Sequence, residues 1–143
     1  MDVRLRKARD SESDCLLFFE ARNDPESRRA SRNPDPISFD DHENWYKKAV
    51  INPGKSLYVI ENDGQPAGYC RVEGPENEVS VALLPKFRGS GIGSKAIASL
   101  SDLFPGKRLK AVVKSDNVRS RRAFENAGYR LAAQRDRWEV WEK

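Results

Sequence analysis

The residues best suited to chemistry lie in two stretches of the C-terminal half. The first reads Lys86-Phe87-Arg88-Gly89-Ser90-Gly91-Ile92-Gly93-Ser94-Lys95. Glycine reaches positive φ without steric penalty, so a loop this rich in it can turn several backbone N–H groups toward one anion. Apolar residues at Ile92, Ala96, Leu100, Leu103 and Phe104 then recur at helical spacing. The loop therefore feeds a helix whose N-terminus also favours negative charge. Lys86, Arg88 and Lys95 add positive charge. A phosphate site is the chemistry implied, and spacing decides its type. A Walker A loop needs Gly directly before its Lys, but Lys95 follows Ser94. A dinucleotide fingerprint needs G-x-G-x-x-G, whereas Gly89, Gly91 and Gly93 give G-x-G-x-G. Neither fits.

The second stretch runs from Lys110 to Tyr129: a short apolar strand, then Asn117-x-x-Ser120, then a helix ending in Gly128-Tyr129. Asn117 reads as a helix N-cap. Arg119, Arg121 and Arg122 follow it. Arginine can grip phosphate through two parallel hydrogen bonds, and equally can form a solvated helix face.

Arg88, Gly91 and Gly93 give R-x-x-G-x-G, preceded by a strand that opens at Glu78 and closes at Pro85. With the N-x-x-S block following in that order, the pair resembles the two signatures of the GNAT superfamily of acyl-CoA-dependent N-acyltransferases. The resemblance implies a sheet whose two central strands splay apart to admit the pantetheine arm of acetyl-CoA. It implies that Arg88, Gly89, Ser90, Gly91, Ile92, Gly93 and Ser94 hold the cofactor's pyrophosphate. It implies that the main chain at Leu83 and Leu84 bonds pantetheine and polarises the thioester carbonyl. Asn117, Ser120, Arg122 and Phe124 are expected along the rest of the cofactor. One position departs from the pattern: many family members carry Tyr at 124 to protonate the leaving thiolate, and Phe124 cannot. Ser120, one turn back, is the substitute expected to donate weakly or hold a water.

An attacking amine must be neutral, so a group or water chain has to take its proton. Glu78, at the start of the central strand, is the expected base; Glu73 and Glu76 are rivals in the same turn, and a solvated carboxylate is the plain alternative.

The N-terminal half carries Arg22-Asn23-Asp24-Pro25 and then Ile37-Ser38…His42…Trp45. This resembles the pattern of amino-sugar N-acetyltransferases acting on nucleotide-linked sugars, the pseudaminic-acid-pathway enzymes among them. The resemblance implies that Arg22, Asn23, His42 and Trp45 contact the acceptor, and Arg22, Arg28, Arg29 and Arg32 suit an anionic one. His42, on the apolar side of its helix, reads equally as a packing histidine. Protein and other small-molecule amines remain open as acceptors. A non-catalytic module that binds CoA or nucleic acid is the reading from another class.

The elements that must position these residues can be read in order. Val3 and Leu5 start a strand, and Ser11 or Ser13 caps a helix carrying Cys15, Leu16, Phe18 and Phe19 that Pro25 ends. Arg28 to Pro36 is breaker-rich and reads as loop. Ser38 with Asp41 caps a helix bearing His42, Trp45, Tyr46, Ala49 and Val50. Leu57–Ile60 and Ala67–Val72 are strands joined at Asn62-Asp63-Gly64, and Tyr129–Glu142 is a strand or hairpin turning near Arg135-Asp136. The order β-α-α-β-β-β-α-β-α-β(β) predicts an α/β protein: a GNAT-like mixed sheet of six or seven strands flanked by about four helices, one domain over residues 1–143.

Composition agrees with that class. The 38% hydrophobic and 34% charged content describes a globular chain with no apolar run long enough for a membrane helix. Met1 to Asp10 lacks the apolar core of a signal peptide, and Cys15 and Cys70 are isolated, so a cytoplasmic protein with reduced thiols is expected. One His leaves no His-rich metal site, and no metal is expected. A net charge of +4 suits an anionic ligand and is too small to argue for nucleic acid. The expected partners are acetyl-CoA and a small-molecule amine, with the chain a monomer or homodimer.

Overall fold

The computed structural model describes residues 1–143, and its strands order themselves around the gap that a cleft requires. The elements are β1 (Val3–Lys7), α1 (Glu12–Asn23), α2 (Pro25–Ala30), α3 (Phe39–Ile51), β2 (Lys55–Asn62), β3 (Gln65–Glu73) and β4 (Glu78–Leu83). After them come α4 (Ile92–Asp102), β5 (Lys110–Lys114), α5 (Val118–Asn126), β6 (Arg130–Arg135) and β7 (Trp138–Glu142). They build one seven-stranded sheet in the order β1-β2-β3-β4-β5-β7-β6. Only the central β4–β5 pair is parallel, and α4 makes the crossover between its strands. The fold is the mixed α/β architecture that the sequence predicts.

Local chemistry explains most boundaries. Ser11 caps α1 through a bond from the Asp14 N–H, and Ser38 caps α3 through a bond from the Asp41 N–H. Asp63 and Gly64 take positive φ (52° and 80°), the geometry of a two-residue hairpin between β2 and β3. Asp136, also at φ 52°, turns β6 into β7, so the C-terminal segment is a hairpin.

Apolar side chains bury on both faces of the sheet. On one face Leu57, Val59 and Tyr69 pack under α1 and α3, with Phe18 stacked on Tyr69 at 4.4 Å between ring centroids. On the other, Cys70, Val72 and Val79 meet Ile97 and Leu100 of α4, Phe124 of α5 and Trp141 of β7.

Two expectations need correction. Pro25 does end α1, but it also opens α2, which runs to Ala30 and takes the first residues of the loop expected over Arg28 to Pro36; with it the helices number five, against the expected four or so. Asp24 accepts from the Glu26 and Ser27 N–H groups while Pro25 sits at the first helical position, and that start signal outweighs the breakers downstream. Leu103 falls just past the end of α4 and is 51% exposed, so it does not share the buried face of Ile92, Ala96 and Leu100.

Candidate functional site

A wedge between β4 and β5 creates the site. The two strands pair in register only at Glu78↔Lys110 and part beyond it. A cleft of about 1010 Å³ runs along the gap. Its walls come from β3 and β4 on one side and from β5 and the start of α5 on the other. The segment from α2 to Ser38 also lines it.

Gly68 makes the wedge possible. A Cβ on this residue would lie 2.2 Å from the Ala82 carbonyl oxygen and 2.8 Å from Leu83 Cα, distances no side chain survives. Glycine therefore lets the end of β4 press onto β3 and away from β5. Nothing in the sequence singles this glycine out. Leu84 N–H then donates to the Ala67 carbonyl at 2.8 Å, and its own carbonyl accepts from Phe87 N–H at 3.0 Å. The Leu84 N–H is thus used within the chain and cannot donate to a thioester carbonyl, which removes it as the expected donor to the cofactor. Strand alternation leaves the main chain of Leu83 facing the open edge, and Leu83 lines the cleft.

The glycine-rich loop follows β4 after a short 3-10 turn at Pro85–Phe87. Gly89 and Gly91 hold φ of 82° and 88°, and Gly91 is the left-handed N-cap of α4. The first amide of this helix to find an acceptor is Lys95, which bonds the Gly91 carbonyl at 3.3 Å. The N–H groups of Gly89, Ser90, Gly91, Ile92, Gly93 and Ser94 have no protein acceptor. Six consecutive free donors at a helix N-terminus form an anion site. Gly93 lines the cleft, where an added Cβ would reach 3.8 Å from both Leu83 Cδ1 and Ala123 Cβ.

Arg88 contributes differently from a free cation. Its Nη2 donates to Asp24 Oδ2 at 2.7 Å and to Ser27 Oγ at 3.2 Å, and its Nη1 donates to Glu26 Oε2 at 2.6 Å. Burial raises the Asp24 carboxyl's pKa, but the Arg88 guanidinium and the Ser27 and Glu26 N–H groups together bring it below its usual value. Arg88 thus ties the glycine loop to α2. Arg119 adds a second tie from α5 to Glu26 at 3.2 Å.

Asn117 caps α5 by accepting from the Ser120 N–H at 3.2 Å, and Asn117, Ser120 and Phe124 all line the cleft. Phe124 is buried and edge-packed on Tyr129, whose hydroxyl lies 3.0 Å from Ser101 Oγ. Arg122 is exposed and outside the cleft lining, on the solvent face of α5.

Glu78 lines the cleft at the point where β4 and β5 still touch. Arg32 Nη1 and Nη2 donate to its two carboxylate oxygens at 3.0 and 2.9 Å. The segment between α2 and α3 is thereby latched onto the central strand.

The acceptor residues expected from the N-terminal half divide. Arg22 and Asn23 line the cleft, Asn23 Oδ1 accepting from the Ile37 N–H at 3.0 Å. His42 is a packing residue. It is fully buried among Phe19, Phe39, Trp45 and Tyr46, with Nε2 2.9 Å from the Cys15 carbonyl oxygen, and it lies outside the cleft lining. Trp45 lies behind the cleft lining, covered by the side chains of Arg22 and Arg71.

Burial pushes the His42 pKa below its usual 6.5, against the opposing pull of the Cys15 carbonyl. The unfolded chain therefore takes up a proton first as pH falls, and stability is lost below about pH 6.5 and kept above it. His42→Gln is expected to flatten this part of the profile, so thermal midpoints at pH 7 and pH 5 should differ less in the variant than in the wild type.

No group of His, Cys, Asp and Glu is arranged to hold a metal, and no helix is long and apolar enough to cross a membrane.

The family model for the acetyltransferase (GNAT) domain matches residues 2–130. No curated protein matches the sequence. Solved structures match the whole fold. A domain from Methanocaldococcus jannaschii superposes with a TM-score of 0.82 at 16% identity, covering 99% of this chain and 97% of that one. An aminoglycoside acetyltransferase in complex with coenzyme A gives a TM-score of 0.79 at 18% identity over 99% and 93% of the two chains. The Vibrio cholerae spermidine N-acetyltransferase, in complex with CoA and spermine, gives 0.80 at 16% identity over 98% and 92%.

Proposed function

This chain belongs to the GNAT acetyltransferase family, and from that premise we propose which residues of the cleft serve the cofactor and which serve the acceptor. The chain is an acetyl-CoA-dependent N-acetyltransferase, and acetyl-CoA supplies the acetyl group as a thioester. The observation that carries the cofactor assignment is the run of six free amides from Gly89 to Ser94. They hold the pyrophosphate, with Arg88 bracing the loop against α2 through Asp24 and Glu26. The main chain of Leu83 orients the pantetheine arm in the wedge that Gly68 opens. Asn117 caps α5 and presents its side to the same arm.

Proton transfer falls to few groups. Glu78 is the cleft-lining carboxylate on the residue pair where β4 and β5 converge, and it receives the amine's proton directly or through water once Arg32 releases an oxygen. At the other end of the reaction the Phe124 ring excludes water without donating, and the Ser120 hydroxyl is the polar group one helical turn away. A CoA thiolate leaves well unaided. Phe124→Tyr should therefore change kcat by less than about tenfold, or 1.4 kcal/mol of barrier. A far larger gain would show that thiolate protonation limits the wild-type enzyme.

The acceptor is an amine on a nucleotide-linked sugar. Three features support this: the Arg22-Asn23-Asp24-Pro25 and Ile37-Ser38…Trp45 pattern, the cationic segment Arg28, Arg29 and Arg32, and its position along the cleft. His42 no longer belongs to this set. The test is a panel of amines with acetyl-CoA: UDP-linked amino sugars, peptide α-amines, spermidine and aminoglycosides. The sugar nucleotides should be acetylated with the highest kcat/KM, and duplex DNA should not inhibit at physiological salt. Inert sugar nucleotides beside efficiently acetylated peptides or polyamines would leave the acetyltransferase and remove the sugar.

A further inference from the structure

Three cations crowd the ring of Trp45. The guanidinium carbons of Arg22 and Arg71 lie 5.0 and 5.2 Å from its centroid, and the Lys55 ammonium lies 5.6 Å away. One carboxylate answers them: Glu73 is 3.5 Å from Lys55 Nζ and 3.4 Å from Arg71 Nε. Even that contact is poorly aligned, since Arg71 Nε is buried without a hydrogen bond. Arg22 has no carboxylate at all, and its Nη1 is buried with no partner. Arg28 Nε is buried and unpartnered as well, on another wall of the same cleft.

A buried guanidinium donor without an acceptor costs free energy, and like charges stacked on one indole add to that cost. Burial first, and the neighbouring Arg71 charge among lesser causes, disfavours the charged form of Arg22. An arrangement of this kind is matched by an anion, because arginine forks bind carboxylate and phosphate oxygens in pairs. Arg22, Arg71 and Glu73 all line the cleft, and the Trp45 ring lies against both guanidinium groups.

We infer that Arg22 and Arg71, backed by Trp45, form an anion subsite for the acceptor, so that the acetylated amine belongs to a molecule carrying a phosphate or a carboxylate. This rests on the reading that the acceptor occupies this part of the cleft. The subsite also lies close to the chemistry. Glu73 pairs with Glu78 across β3 and β4, so Arg71 and the expected base stand on neighbouring strands, about 5 Å apart between strand axes. The surface disfavours polycations such as spermine, whose charges would meet Arg22 and Arg71.

Two measurements test this. In the first, the protein is saturated with CoA, so that the glycine loop is filled, and inorganic pyrophosphate, phosphate and acetate are titrated calorimetrically. Pyrophosphate or phosphate should bind the CoA-loaded wild type, and Arg22→Gln and Arg71→Gln should each weaken it by about tenfold or more, with CoA affinity unchanged. In the second, matched amines are compared as acceptors: glucosamine against glucosamine 6-phosphate, and alaninamide against alanine. A preference for the phosphorylated amine supports the subsite and the sugar together. A preference for alanine supports the subsite while overturning the sugar assignment. No anion binding by the CoA-loaded wild type, or equal kcat/KM for charged and uncharged partners that neither Arg variant alters, overturns the subsite and leaves the sugar assignment to the amine panel.

Discussion

Gly91→Val is expected to lower acetyl-CoA affinity by about a hundredfold or more, measured by calorimetry. Space is not the reason, since an added Cβ at this position would meet nothing within 4 Å. The backbone is. Gly91 sits at φ 88° as the N-cap of α4, a conformation a β-branched residue avoids at a cost of roughly 1–3 kcal/mol. The loop relieves that cost by turning, and any turn redirects the free amides on either side of it. Strain and lost donors therefore add. Gly106 supplies the control, because it holds φ 76° with open space around it after the end of α4. Gly106→Val should cost stability and leave cofactor affinity intact. Equal affinity in Gly91→Val and wild type would remove the loop from the cofactor site.

The second large effect belongs to Gly68. Gly68→Ala should destabilise the protein by about 3 kcal/mol or more, because a methyl group 2.2 Å from a backbone oxygen forces β3 and β4 apart. If the chain refolds around the clash, β4 shifts toward β5 and the wedge narrows. Acetyl-CoA should then raise the variant's thermal midpoint much less than the wild type's. Full stability with a normal cofactor-induced shift would mean that the wedge does not depend on this contact.

What the sequence revealed and what it hid follow from sequence distance. The β4–loop–α4 and β5–Asn117–α5 units are local: Gly89, Gly91 and the Asn117 cap act on amides a few residues away, so their spacing states their geometry. The structure keeps both units and the splayed strand pair that connects them. α2 was hidden because Asp24 and Pro25 form a start signal that competes with the breakers after Arg28. His42 was ambiguous because its apolar helix face is compatible with a core or a pocket. Phe19 and Phe39 close over it only when α1 and α3 pack together. Gly68 looks like any strand glycine until Ala82 arrives from the neighbouring strand. The Arg32–Glu78 latch spans 46 residues, and the Arg22–Trp45–Arg71 cluster joins three elements, so neither leaves a local pattern.

The cleft's task is to transfer acetyl from acetyl-CoA to an amine. Mixing the protein with acetyl-CoA and the amine panel, while following free thiol and the mass of the amine, tests it most directly. Thiol release should need both protein and amine, be matched by one acetylated amine per thiol, and be lost in Gly91→Val. Tight CoA binding by the wild type with no amine in the panel acetylated, including the sugar nucleotides, would contradict it and leave a CoA-binding module.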